Sequence, residues 1–312
     1  MLLIVTNRDD LTADWLILEL HERQIDFVRF NTEDYPQRVR VTWNPRVGAS
    51  LTLPDRTIAA VDITSVWWRR PVAPRLAPGL ASEEEIWAQR EALAALHAFW
   101  DTITARWVSH PDAIRRASSK PRQLTDAMLF GFDIPDTRVT NDPAVLNTLR
   151  LTSPDGVICK PLTHGRVRDG PDGRLFFTKL LPAEGRAALG GEPFLFQTLI
   201  PKRYDVRVTV IGTEVFATRI NSQTVPDADV DWRRGSPEQL IHEVETLPLD
   251  IVDKCRALVS HYGLLFGAID LARRLDGGYT FFEINPNGQW AWIEQRTDIP
   301  LRTTLADLLT AR

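Results

Sequence analysis

Two short apolar runs near the C-terminus carry the side chains best suited to hold a cation. Phe281-Phe282-Glu283-Ile284-Asn285-Pro286-Asn287-Gly288 reads as a strand that sets Glu283 and Asn285 on one face, because strand side chains two apart project together. Pro286 and Gly288 then end it. Upstream, Phe266-Gly267-Ala268-Ile269-Asp270-Leu271 is a second apolar strand with one acid inside it. An Asp276-Gly277-Gly278 turn joins the two into a hairpin and brings Asp270 close to Glu283 and Asn285. Two carboxylates and an amide oxygen are hard ligands, suited to Mg²⁺ beside phosphates. A carboxylate left unpaired in so apolar a strand is costly, which argues against an ordinary solvated hairpin.

The Asp, then Glu-x-Asn-Pro pattern resembles the metal-binding end of the ATP-grasp ligases. Gly156-Val157-Ile158-Cys159-Lys160-Pro161 resembles their phosphate-lysine strand, Phe196-Gln197-Thr198-Leu199-Ile200-Pro201-Lys202 their adenine hinge, and the run from Tyr204 to Gly212 the strand after the hinge. Within that superfamily the chain is most similar to the maturases of microviridin-type peptides, the graspetides. Phe27-Val28-Arg29-Phe30-Asn31-Thr32-Glu33-Asp34-Tyr35-Pro36, Val66-Trp67-Trp68-Arg69-Arg70-Pro71, and the set Ser222-Gln223, Asp231-Trp232-Arg233 and Asn285-Pro286-Asn287-Gly288-Gln289-Trp290 carry that similarity in order along nearly the whole chain.

The resemblance implies an α/β ATP-grasp fold with an N-terminal preATP-grasp α/β domain over residues 1–110, a central ATP-grasp subdomain over 111–200 and a C-terminal subdomain with the metal site over 201–312. Lys120 and Lys160 are the expected phosphate contacts, since an ammonium is a compact point charge. Gln197, Thr198, Leu199 and Ile200 form the expected adenine hinge, with Asp205 in the following strand completing the nucleotide set. Arg207, Arg219 and Arg233 are candidates to stabilise charge on a transferring phosphoryl group; a mutual ion pair between Arg207 and Asp205 is the plainer alternative. Trp68, Arg69, Arg70, Asp231 and Asn287 are the expected substrate contacts. His164, on a loop with Gly165, Gly170 and Gly173, is weighed as a general base.

By resemblance, the reaction is ATP-dependent activation of a peptide side-chain carboxylate as an acyl-phosphate, followed by attack of a hydroxyl or amine to give an ω-ester or ω-amide macrocyclic link. ATP and Mg²⁺, as two ions, are the implied cofactors, and a ribosomal precursor peptide (leader plus acidic core) is the implied partner, with a homodimer allowed. Two alternatives stay open: a stand-alone amino-acid or glutamate ligase acting on a small amine, and a non-catalytic ATP- or peptide-binding module.

Composition sets limits around this. At 312 residues the chain can bury a sizeable core in two or three subdomains. A net charge of −4 and a pI near 5.9 argue against nonspecific nucleic-acid binding. No apolar run reaches membrane-spanning length, and the start reads as a strand, not a leader. Two distant cysteines, Cys159 and Cys255, exclude a disulfide framework and fit a cytoplasmic setting.

The elements that must position these residues follow from periodicity. Strands are expected at 2–6, 25–30 and 61–68 with a helix at 10–23, a parallel α/β pattern, and a polar hairpin at 38–43 and 50–53. Ser82 and Glu85 read as a capping box opening a helix over 82–107, with Ile86, Leu93, Leu96, Trp100, Ile103 and Trp107 on its core face. Ser119 caps a helix that Gly131 ends. Strands are expected at 156–160, 175–179, 194–198, 205–211 and 214–220, and helices at 251–262 and 301–309.

Overall fold

The computed structural model describes residues 1–163, 166–167, 174–182, 191–236 and 238–311. The chain opens with a parallel sheet in the order Phe27–Asn31, Leu2–Thr6, Ser65–Trp68, Arg106–Val108. Its crossover helix, Leu11–Glu22, starts where the Asp10 carboxylate accepts from the backbone N–H groups of Thr12 and Ala13. Beside this sheet lies a three-stranded antiparallel one, Arg40–Asn44, Gly48–Thr52 and Thr57–Ala59.

The middle of the chain forms an antiparallel sheet in the order Lys179–Leu180, Val157–Lys160, Phe194–Thr198, Thr137–Thr140. The C-terminal part forms a five-stranded antiparallel sheet in the order His242–Val244, Glu214–Ile220, Lys202–Ile211, Phe266–Arg274, Tyr279–Asn285. One face of that sheet buries Val206, Val208, Ile269 and Phe281 under the helices Lys120–Leu129 and Leu249–His261. Toward the sheet's far end, Ile211, Phe266 and Ala268 share a second core with Leu2, Ile4 and Trp67 of the N-terminal sheet and with Leu301 and Leu305 of the last helix, Leu301–Thr310. Continuous apolar packing thus joins the first and last parts of the chain. Among the described residues no helix is long and apolar enough to cross a membrane.

Several elements differ from the periodic reading. The helix expected over 82–107 is Ser82–Trp100; Trp107 sits on the strand Arg106–Val108. Its cap lies one residue earlier, with the Ala81 N–H donating to the Glu84 carboxylate at 3.1 Å. Ile86 and Leu93 are exposed, because only the C-terminal half of this helix, at Leu96, Phe99 and Trp100, reaches the core. Val61 lies in a 3₁₀ turn before the strand and is exposed. The strand expected over 175–179 is two pieces, Arg174–Leu175 and Lys179–Leu180, paired to different partners. Three short helices, Pro111–Ala117, Pro143–Leu151 and Ala291–Thr297, had no strong periodic signal.

Candidate active site

The hairpin of Phe266–Arg274 and Tyr279–Asn285 forms as its alternation predicts, with one irregularity that matters. Asp270 pairs directly with Glu283, Ala268 with Asn285, and the register shifts so that Leu271 meets Phe281. Phe282 is therefore the extra residue of a bulge. Its ring lies 5.3 Å from the Lys160 ammonium and 5.8 Å from that of Lys202. The strand is held from behind by Gln123, which accepts from the Ile284 N–H at 3.1 Å and donates to its carbonyl at 2.9 Å.

Around the hairpin the cations converge. Arg207 donates to both oxygens of Asp270, at 2.8 and 2.9 Å. Asp205, the partner that the plainer alternative gave Arg207, is instead bonded to the buried Lys202 at 2.9 Å and to the Ser222 hydroxyl at 2.6 Å. Lys120 stands 3.4 Å from Glu283 and donates to the Pro161 carbonyl at 3.0 Å. Burial alone would push the Glu283 carboxyl up, but Lys120, Lys160, Arg233 and Arg207 together hold it down at about 2. Asp270 goes the other way: burial and the neighbouring Glu283 raise it against the pull of Arg207. Burial lowers the Lys160 ammonium to about 8, with Glu283 opposing that shift. Asp231 binds Arg233 through two bonds of 2.6 and 2.8 Å and accepts from the Thr178 N–H at 3.0 Å.

Two cavities meet at this cluster, and Asp270, Glu283, Asn285 and Arg233 line both. The first is also lined by Lys120, Lys160, Thr198, Leu199, Ile200 and Lys202, with Asp205 and Asp231. The second, of about 410 Å³, is lined by Arg70, Arg207, Trp232, His242 and Trp292 among others. The donor set fits a hard divalent cation: an ionised Glu283, an Asp270 opposite it and the side-chain oxygen of Asn285, with lysines alongside for phosphate. Among the described residues no group of three or more His, Cys, Asp and Glu side chains gathers, so the amide oxygen is needed to complete the trio.

Five residues expected at the site lie elsewhere. Gln197 is buried within its strand, where it donates to the Thr137 hydroxyl at 3.0 Å and does not line the cleft that its neighbours Thr198 to Ile200 line. Arg219 pairs in register with Val206, so it projects from the sheet face opposite Arg207; there it stacks on Tyr204 at 4.2 Å and meets Glu243 at 3.5 Å. Arg69 is 1% exposed and paired with the buried Asp10 at 3.3 Å, out of reach of a substrate. Arg69 and Arg70 both donate to the Asn287 carbonyl, and the Asn287 amide, turned with its nitrogen toward Trp68, donates to the Trp68 carbonyl at 3.0 Å. Trp68 itself packs edge-on against Trp100 at 5.4 Å. These residues tie the N-terminal domain to the turn after Asn285, whose own oxygen accepts from the Asn287 N–H at 3.0 Å. Gly288 belongs to the same turn: a Cβ there would lie 2.4 Å from that of Ala268 and 2.7 Å from the Arg207 guanidinium. His164, Gly165, Gly170 and Gly173 lie outside the described residues.

Sequence reasoning passed over Lys202, Phe282, His242 and Trp292. Lys202 carried a readable signal, a lysine just after an apolar hinge; Phe282 depends on a bulge, and His242 and Trp292 reach the cavity from separate elements.

Known proteins place this geometry. Residues 1–115 match the family model described as the MvdD pre-ATP grasp domain. A RiPP-associated ATP-grasp ligase of Chryseobacterium gregarium, solved with ADP and a leader and core peptide, superposes with a TM-score of 0.90 at 28% identity, over 99% of this chain and 96% of that one. The macrocyclase MdnC of Microcystis aeruginosa, solved with the precursor peptide MdnA, gives 0.87 at 25% identity over 100% and 99%. The macrocyclase MdnB, from the same organism, gives 0.83 at 27% identity over 100% and 99%. Comparison with curated protein sequences gave no match. The fold, the paired cavities and these likenesses lead to one conclusion: the chain is an ATP-grasp ligase with an N-terminal pre-ATP-grasp domain of the MvdD kind.

Proposed function

We propose that the chain links side chains of a ribosomally made precursor peptide, activating a carboxylate with ATP and joining it to a hydroxyl or amine. The observation that carries this is the sharing of Asp270, Glu283 and Asn285 between two cavities, one lined with lysines and the other open to an acceptor. One of the structures it resembles was solved with ADP and a leader and core peptide and another with a precursor peptide, which supports a peptide substrate.

In this reading Lys120 and Lys160 hold the ATP phosphates, Thr198 to Ile200 flank the base, and Lys202, fixed by Asp205, adds charge near them. A peptide carboxylate oxygen attacks the γ-phosphorus; the bond to the bridging oxygen breaks and ADP leaves. Arg207 and Arg233 bear on the charge that develops, their positions set by Asp270 and Asp231. The acceptor then attacks the acyl carbon, phosphate departs and one proton is lost. Asp270, Glu283 and Asn285 would hold Mg²⁺, in our reading two ions, which when bound neutralises phosphate charge. Arg70 borders the acceptor side, Asp231 anchors Arg233 from the nucleotide side, and an acidic core suits the arginines of the acceptor side.

Intact mass spectrometry tests this. The enzyme and Mg-ATP, incubated with any short acidic peptide found encoded near its gene, should give loss of one water mass per link, dependent on ATP. Unchanged peptide mass, with ADP released only when free amino acids or amines are added, would replace the peptide reading with a small-molecule ligase.

A further inference from the structure

The strand that carries Glu283 and Asn285 lies at the edge of its sheet, so among the described residues one row of its backbone groups faces no neighbouring strand. Other parts of the chain cover that row. The Asp133 carbonyl accepts from the Phe281 N–H at 2.8 Å. At Ile284 the cover is a side chain, the Gln123 amide. Its Oε1 accepts from the Ile284 N–H at 3.1 Å, and its Nε2 donates to the Ile284 carbonyl at 2.9 Å. Those two backbone groups belong to different peptide planes. The N–H lies in the plane that joins Glu283 to Ile284, and the carbonyl in the plane that joins Ile284 to Asn285. One side chain therefore orients the backbone on both sides of Ile284, and with it the directions in which the Glu283 and Asn285 side chains leave the strand.

Gln123 is 3% exposed, and its Nε2 also donates to the Ala117 carbonyl at 2.6 Å. It borders the first cavity, but both Nε2 hydrogens and Oε1 are engaged by backbone, so it is not a group for the nucleotide. The helix that presents it is anchored on either side. Lys120, three residues before, stands 3.4 Å from Glu283. Asp126, three residues after, accepts from the Tyr262 hydroxyl at 2.8 Å, and both of those residues are buried. We infer that Gln123 is the positioning residue of the cation site: its amide sets the directions of Glu283 and Asn285 toward Mg²⁺ and locks them to the helix that carries Lys120. The inference rests on the metal reading given to Glu283 and Asn285 above. It requires an amide. A carboxylate at this position would face two carbonyls with nothing to donate. A methionine would fill the space and leave the Ile284 N–H and both carbonyls buried without partners.

The test uses the full-length enzyme and measures ADP binding by titration calorimetry over a range of Mg²⁺ concentrations. Gln123→Met should raise the Mg²⁺ concentration that half-saturates ADP binding by about 10- to 100-fold, the usual cost of losing the group that orients a metal ligand. ADP binding without Mg²⁺ should not move. Ala127→Gly, buried on the same helix with a side chain that bonds to nothing on the strand, loosens the helix and should leave the Mg²⁺ requirement unchanged. An unchanged requirement in Gln123→Met, or an equal rise in Ala127→Gly, overturns the inference. The Glu283→Ala, Asn285→Ala double variant separates the two readings: if it keeps the wild-type Mg²⁺ requirement, the metal reading falls and the inference with it. Hydrogen exchange of the wild type, read residue by residue, serves where Gln123→Met does not fold. The Ile284 amide should be protected like those of the central strand Lys202–Ile211. Exchange there at the rate of an unbonded amide overturns the inference.

Discussion

The two cavities that meet at Asp270, Glu283 and Asn285 are built from different cations. Lysines 120, 160 and 202 line the first, the proposed nucleotide side, and arginines 70, 207 and 296 line the second, the proposed acceptor side, with Arg233 at the junction. The chemistry of the two groups accounts for the division. An ammonium is a point charge that moves to meet phosphate oxygens, and burial shifts its pKa readily, as at Lys160. A guanidinium keeps its charge and holds a fixed fork, as Arg207 does on Asp270. The nucleotide side should therefore respond to pH near neutrality, and the acceptor side should not.

The largest break in this comparison should come from the groups that both sides share. Glu283→Ala with Asn285→Ala should lower ligation by roughly a thousandfold or more, several kcal/mol of lost charge stabilisation. Circular dichroism should show the fold retained; undiminished turnover would remove the metal site. Lys160→Met comes next, raising the KM for ATP by roughly 10- to 100-fold with little change in peptide KM. The wild-type pH profile sharpens it. Lys160 in the free enzyme is protonated below about 8 and neutral above, and ATP favours the charged form, so KM for ATP should climb as pH rises past 8. The methionine variant should lack that climb; an identical profile would refute the phosphate role. Arg70→Ala should act on the other side, raising peptide KM by about 3- to 10-fold while ATP KM holds. Least of all, Arg219→Ala should change either constant by less than ~2-fold, since its side chain lies on the opposite face of the sheet. A larger loss there would show that face coupled to the site.

The contrast between Arg69 and Arg70 shows where reading from sequence stops. Adjacent in a strand-end motif, they look equivalent. Tertiary packing buries the first against Asp10 and leaves the second at the second cavity, the proposed acceptor side. Trp68 and Asn287 fall with Arg69: both bear on the site by tying the N-terminal domain to its turn. Alternation of side chains along a strand is local, so Glu283 and Asn285 on one face, the hairpin turn and the apolar strands were legible. Which face of a strand meets which neighbour is not local, and Arg219 and Gln197 fell on that side of the line.

By itself, the sequence determined the parallel N-terminal strands, the hairpin that carries Asp270, Glu283 and Asn285, and the order of the motifs, because each depends on spacing within one segment. Only the tertiary structure decided that Arg207 pairs with Asp270 and Asp205 with Lys202, that Phe282 bulges between two lysines, and that His242 and Trp292 wall the second cavity. Except for Lys202 and Asp205, three apart on one strand, those contacts join residues tens of positions apart. They are fixed by sheet register and by which apolar faces bury together, neither of which a single segment encodes.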